Sequence, residues 1–278
     1  MNFLPTKFYE ELVLISFSDI CPTAKLLSGP LKVCACNLNQ QGHEKIIPIR
    51  NGKFEEPLWR KGQNFIATPE DLFQKYRCLT AVWYAKDRKD TEICPVVKEL
   101  PKRILSEPGM HQLIVSNIHM SEQWIEMFAS WRSLVSVFVN RNCSDDVKKL
   151  LLKLLDRKQL LELRFDRCGD TEITLGFDFL RQEQFLELIY RAYVPESKER
   201  LEALRKEEGR KLTGKFVCWE AKVDLHTQKM TRVERSEQVE LRYESEWGIV
   251  AYYNGNGTFE MSDKKFMRGV TLTYVRFL

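Results

Sequence analysis

Hydrophobic residues return in one frame through the middle of the chain. Leu134, Val137 and Val139 precede Asn142, and Leu160, Leu163 and Phe165 precede Cys168 at the same spacing. Met110, Leu113, Val115 and Ile118 repeat the frame upstream. Phe185, Leu188, Tyr190 and Tyr193 repeat it downstream, and Leu79, Val82 and Tyr84 form a weaker copy. The frames start at 79, 110, 134, 160 and 185, separated by 31, 24, 26 and 25 residues. Alternation inside each frame predicts a short strand with one buried face. Helical spacing returns between the strands. Ser121 precedes Trp124, Ile125 and Phe128, and Asp145-Asp146 precede Val147, Leu150, Leu151, Leu154 and Leu155. Val96, Val97 and Leu100 predict a helix that Pro101 interrupts. Each stripe can be buried only against its own strand and the neighbouring units, so residues 79–193 are expected to fold as one stack.

That period and the Asn or Cys after the last apolar position make the segment resemble an irregular leucine-rich-repeat array. Alternation places Ser136, Glu162 and Arg164 on the outward side of its strands.

The flanks read differently. Pro5 opens a helix over residues 4–15 with Phe8, Leu12 and Ile15 on one face. Ser18 and Asp19 cap a second short helix through Leu27, which Gly29-Pro30 stops. Leu31 to Asn39 reads as strand, as does Lys45 to Arg50. Asn51-Gly52 is a tight-turn signal leading into Lys53-Phe54-Glu55. Thr68-Pro69-Glu70-Asp71 starts a helix with Leu72, Phe73 and Tyr76 inward. Pro195 closes the repeats, and residues 196–211 form a highly charged helix with Leu201, Ala203 and Leu204 available for packing. Gly214 opens an all-strand segment with alternation at 215–223, 239–243, 249–253 and 270–274. Asn254-Gly255-Asn256-Gly257 reads as a glycine turn between two strands, because the Lys-Ser/Thr and following helix of a phosphate loop are missing.

Composition narrows the chemistry. The 278 residues carry 43 basic and 39 acidic side chains, a net charge of +4 spread without a block. A nucleic-acid partner would call for a concentrated basic face. The start of the chain lacks a signal-peptide pattern, and no apolar run reaches the length of a membrane span, so a cytoplasmic or nuclear protein without a membrane partner is expected. The eight cysteines show no disulfide framework. Cys34-x-Cys36 with His43 falls short of four regularly spaced zinc ligands. Four histidines (His43, His111, His119, His226) fit no hydrolase or metalloprotease motif. A Cys143–His119 nucleophile pair stays open, since such pairs assemble in space. Trp83, Trp124 and Trp131 stand at core spacing. No residue is assigned as catalytic, cofactor-binding or metal-binding, and no cofactor is implied.

Leu4-Pro5 followed by Phe8, Leu12 and Ile15 resembles the opening of an F-box, and the layout as a whole is similar to the F-box-related families of nematodes. The resemblance covers about 30 N-terminal residues and roughly 115 residues of repeats. It departs after Gly29-Pro30, where a third F-box helix is not recognisable. It implies that Leu4, Pro5, Phe8, Leu12 and Ile15 dock a Skp-type adaptor of a cullin–RING ubiquitin ligase, while the repeats hold a target protein.

The expected fold is therefore α/β: an irregular leucine-rich-repeat-like solenoid with an N-terminal helical and strand cap and a β-rich C-terminal segment. Its parts are a partial F-box-like segment (1–30), a β-rich cap (31–67), the array (68–195), and a charged helix with the C-terminal β segment (196–278). The expected function is a non-catalytic interaction module resembling a substrate-recognition subunit of a Skp–cullin–F-box ligase. The alternatives are a repeat scaffold with no ligase and a cysteine-dependent hydrolase.

Overall fold

A computed structural model describes residues 30–61, 64–66, 77–85, 93–104, 107, 109–116, 119–192, 197–233 and 238–278. The fold is mixed α/β. The chain divides into two units, residues 1–136 and 137–278.

In the first unit α1 (Pro30–Gln41) leads into β1 (His43–Arg50). Residues 31–39, expected as a strand, are helical. Pro30, read as a stop, is the first residue of the helix, where its fixed φ is already suitable and its missing N–H would have had no partner. Asn51 and Gly52 both take positive φ, 50° and 71°. Both left-handed positions fold β2 (Lys53–Phe54) back on β1 with Arg50 opposite Lys53, as the Asn-Gly pair predicts. β3 (Leu58–Lys61) and β4 (Asn64–Ile66) extend that edge antiparallel. On the other edge, β5 (Arg77–Tyr84) runs parallel to β1 and β6 (Met110–Val115) parallel to β5.

The β5–β6 connection holds α2 (Pro95–Lys98) and α3 (Leu100–Ile104), with Glu99 between them. Pro101 therefore sits in the first turn of α3 instead of interrupting a longer helix. At Gly109, φ is +86° and a Cβ would stand 2.6 Å from the Arg77 carbonyl oxygen, so only glycine fits the entry to β6. α4 (Glu122–Ala129) follows with Ser121 as its N-cap residue. Its Trp124 packs 4.7 Å from the Tyr84 ring and 5.6 Å from Phe128, which forms the centre of this core. Trp124 and Trp131 are fully buried, as core spacing predicts, while Trp83 is half-buried and donates to Ser116 Oγ at 2.8 Å. β7 (Leu134–Val139) carries the chain from one unit into the next.

In the second unit α5 (Asp145–Arg157) starts at Ser144, whose Oγ accepts from the Val147 N–H at 3.3 Å. Then come β8 (Glu162–Phe165), α6 (Asp170–Leu180), β9 (Glu187–Tyr190), α7 (Ser197–Glu208) and β10 (Phe216–Trp219). β8, β9 and β10 are parallel neighbours, with Leu163 opposite Leu188 and Leu188 opposite Val217. On their buried face Phe165, Tyr190 and Trp219 stack at 5.9 and 6.1 Å. Helix α6 lies so close to β9 that a Cβ on Gly176 would meet the Tyr190 hydroxyl and the Leu188 methyls. Leu201 and Leu204 of α7 are buried as expected, whereas Ala203 is exposed.

Antiparallel strands complete the strand order of the second unit, β11-β12-β13-β14-β10: β11 (Thr231–Arg232), β12 (Glu240–Ser245), β13 (Gly248–Tyr253) and β14 (Leu272–Phe277). Two details depart from the sequence reading. A short helix, α8 (Asp263–Arg268), interrupts the segment expected to be all strand. On β13 and β14 the fully buried side chains include Val250, Tyr252, Thr273 and Val275, while Ile249, Leu272 and Tyr274 are half-exposed. Of the alternating positions read from 249–253 and 270–274, only Ala251 and Val270 are buried. Asn254 to Gly257 lead from β13 towards α8: the Asn254 amide donates to the Phe266 carbonyl at 2.8 Å, and its Oδ1 accepts from the Asn256 N–H at 3.0 Å. These residues form a side-chain-braced turn.

Candidate protein-binding face

Leu4, Pro5, Phe8, Leu12 and Ile15, expected to dock an adaptor, lie outside the described residues, as do the helices expected over 18–27 and 68–76. What the structure places is the outward side of the strands in the second unit. Strand register puts Arg164, Ile189, Cys218, Tyr274, Ala251 and Arg242 in one row across β8, β9, β10, β14, β13 and β12. All except buried Ala251 are half-exposed. Their opposite-facing neighbours Leu163, Leu188 and Val217 are fully buried. Alternation on a pleated strand produces both faces at once.

One end of this row is a cation–aromatic cluster. The Arg164 guanidinium lies 5.0 Å from the Phe138 ring centroid and that of Arg191 lies 5.4 Å from it. Glu220 binds both arginines: Arg164 Nη2 donates to one of its oxygens and Arg191 Nε to the other at 3.1 Å. Arg191 Nη1 also donates to Asp166 at 3.1 Å. The Asp166 hydrogen bond, with the Glu220 charge beside it, holds the Arg191 pKa above its ordinary value. At the other end, Arg242 donates to Glu240 Oε1 at 3.0 Å and the Tyr274 hydroxyl to Glu240 Oε2 at 3.3 Å. Between them Arg276 stands over the Phe216 ring at 5.3 Å. Each exposed pair contributes only about 0–1 kcal/mol to stability, but the networks fix long side chains in single orientations.

Of the three positions expected on the outward side, Glu162 and Arg164 are half-exposed. Ser136 is only 1% exposed and accepts from Gln112 Nε2 at 2.9 Å. A short side chain on a sheet face is screened by a longer neighbour, so parity alone did not make it accessible.

The turns after the strands also depart from the repeat pattern. Asn142, expected to turn the chain, is exposed. Glu172 does that work from the first turn of α6, only 6% exposed, accepting from the Cys143 N–H and the Gly169 N–H at 2.9 Å each. A side chain 29 residues away gives no local periodic signal, so sequence reasoning missed it.

The polar groups considered for chemistry are placed as follows. His111 is buried, with Nε2 3.0 Å from the Glu107 carbonyl and Nδ1 2.7 Å from Ser133 Oγ. Burial pushes the thiols of Cys78, Cys143, Cys168 and Cys218 each up to about 12, so they remain protonated at neutral pH. Among the described residues no three His, Cys, Asp or Glu side chains are grouped to hold a metal ion, and no helix is long and apolar enough to cross a membrane. No protein-family model matches the chain, and no curated protein or solved structure matches it either.

Proposed function

We propose that this chain is a non-catalytic protein-interaction module, an irregular leucine-rich-repeat-like solenoid resembling the substrate-recognition subunit of a Skp–cullin–F-box ubiquitin ligase. The observation that carries the interaction reading is the outward row of the second unit. Arginine and aromatic side chains, the residue types that dominate binding hot spots, meet there, Arg164 and Phe138 half-exposed and Arg191 exposed. Glu220 and Asp166 already hold the two arginines in place. A partner docking on Phe138, Arg164 and Arg191 therefore orders few new rotamers, which lowers the entropic cost of binding. The parallel succession of β8, β9 and β10 with a helix before each of the last two supports the repeat reading.

Residues Leu4, Pro5, Phe8, Leu12 and Ile15 would dock the adaptor, and the strand face would keep a target protein near the ligase at raised effective concentration. A cysteine-dependent hydrolase is less well supported, because burial keeps the Cys143 thiol protonated.

The test is capture of a Skp-type adaptor by the full chain and by Leu12→Asp. On the docking helix this change would bury an unpaired charge at a cost of about 3–5 kcal/mol. Capture by the wild type, lost in a variant with unchanged circular dichroism, is the expected result. A wild-type chain that captures no adaptor ends the ligase reading and leaves a repeat scaffold that binds its partner without one.

A further inference from the structure

The first unit contains a cleft of about 240 Å³ lined by Lys45, Ile47, Phe54, Leu100, Ile104 and Glu107, among others. That is room for about eight water molecules, the size of one large side chain or a small organic acid. Its floor is apolar: Leu100 and Ile104 of α3 are fully buried beneath it. Glu55 and Arg103 also line the cleft, Glu55 paired with Arg50 and Arg103 over the Phe54 ring. The charge imbalance is at the Glu107 end. Lys45 Nζ donates to Glu107 Oε1 at 2.6 Å, and Arg77 Nη1 donates to Glu107 Oε2. Two cations share one carboxylate. Arg77 is only 3% exposed, and its Nε has no hydrogen-bond partner.

Trp59 closes the cluster from β3. Its ring lies 4.9 Å from the Arg77 guanidinium and 5.7 Å from Lys45 Nζ. Neighbouring His43, 1% exposed, also leaves Nε2 without a partner. Among the described residues Glu107 is the only hydrogen-bond partner of the Lys45 ammonium, which has three N–H donors. A buried excess of positive charge is costly unless an anion balances it.

We propose that this cleft binds a small amphipathic carboxylate, with its acid group on Lys45 and its apolar body against Ile47, Phe54 and Ile104. The positive charge that Arg77 places behind Glu107 offsets repulsion between that side chain and the incoming acid. A cleft of this size takes a single short aryl or alkyl group. The acid is either a free carboxylic acid or the carboxy-terminal residue of a peptide, since both present the same chemistry.

The test is titration calorimetry on the full chain with 3-phenylpropionate and with its uncharged amide. Two more probes are a short glycine–serine peptide ending in phenylalanine, with a free or an amidated terminus. The acid should bind with Kd on the order of 1 mM. The amide should bind at least ~10-fold more weakly, the difference that one charge-assisted hydrogen bond makes. Lys45→Met should lose the preference for acid over amide while its thermal midpoint stays put, because Glu107 keeps Arg77. Ile47→Trp should fill the cleft and abolish binding of both compounds. A free-terminus peptide that binds better than the free acid assigns the ligand to a polypeptide end; the reverse assigns it to a small molecule. Equal binding of acid and amide overturns the proposal. So does no binding of any probe up to roughly 10 mM, or unchanged acid binding in Lys45→Met.

Discussion

The loop from Ala221 to His226 is held to β13 and β14 by two hydroxyl groups, those of Tyr252 and Thr273, and Tyr252 makes the sharper test. Its hydroxyl oxygen accepts from the Leu225 and His226 N–H groups at 3.0 Å each and lies 2.9 Å from His226 Nδ1. A tyrosine hydroxyl has two acceptor sites and one hydrogen. Both acceptor sites are filled by backbone donors, and His226 Nδ1 also lies 3.1 Å from Asp224 Oδ1. Tyr252→Phe keeps the ring against His226 and Tyr243, so it opens almost no cavity. It removes the acceptor of two backbone donors. Leu225 is buried at 3% exposure, and its orphaned N–H carries the full penalty of about 1–3 kcal/mol. His226 is half-exposed, and water can replace part of its bond. The expected loss is about 2–4 kcal/mol, read from urea unfolding followed by circular dichroism. Hydrogen exchange should show amides 225 and 226 losing protection before the strands do. Tyr243→Phe is the control, since its hydroxyl holds no loop; it should stay within about 0.5 kcal/mol of the wild type. If the two variants unfold alike, the hydroxyl is not what holds the loop.

Two further outcomes follow from buried polar groups. Glu172→Gln leaves one oxygen for the Cys143 and Gly169 N–H groups and turns an NH₂ towards the other donor; urea unfolding should show a loss of about 1–3 kcal/mol. For pH, burial lowers the His43 and His111 pKa values below 6.5 in the folded protein. The unfolded chain therefore binds more protons between 6.5 and those lowered values. The stability these histidines contribute is intact above about pH 6.5, falls as pH drops through the window, and levels off below the folded-state pKa. The slope is at most about 1.4 kcal/mol per pH unit for each histidine. His111→Gln should remove one histidine's share of that slope. Wild-type stability that stays flat between pH 7 and 5.5 would contradict the burial argument.

Long-period features were legible in the sequence. The frames at 110, 134, 160 and 185 lead into β6, β7, β8 and β9, and Leu113, Val137, Leu163 and Leu188 are all fully buried. Periodicity identified β6, β8 and β9 because each buries alternate residues, whereas β7 buries Leu134 and Ser136 as well as Val137 and Val139. It failed where both faces are apolar. Ile249, Ala251 and Tyr253 alternate with Val250 and Tyr252, so either parity satisfies the pattern, and register with β12 and β14 decides it. Residues 31–39 failed for a related reason: small and apolar side chains alternate over a run short enough to suit either element. Helix α8 has six residues, too few for a helical period to declare itself.

The candidate face and the cleft were legible only in part, because each joins residues distant in sequence. Arg164 follows from strand alternation, but Phe138 and Arg191 meet it only when β7, β8 and β9 are in place. Lys45, Arg77 and Glu107 come from three separate segments, and Trp59 from a fourth. The same holds for the pins: Glu172 braces Cys143 from 29 residues away, and Tyr252 braces His226 from 26. A repeat pattern specifies which side chains are buried inside a unit. It does not specify the polar side chains that fix a turn from a distant element of the chain. With frames 24 to 31 residues apart, the loops cannot all share one turn geometry. Each buried backbone N–H in them still needs an acceptor. In this chain Glu172, Thr273 and Tyr252 supply acceptors from outside the loops they hold. Loss of such a pin should loosen its own loop and leave the strand pairing intact, which is why local exchange at amides 225 and 226 is the decisive readout for Tyr252.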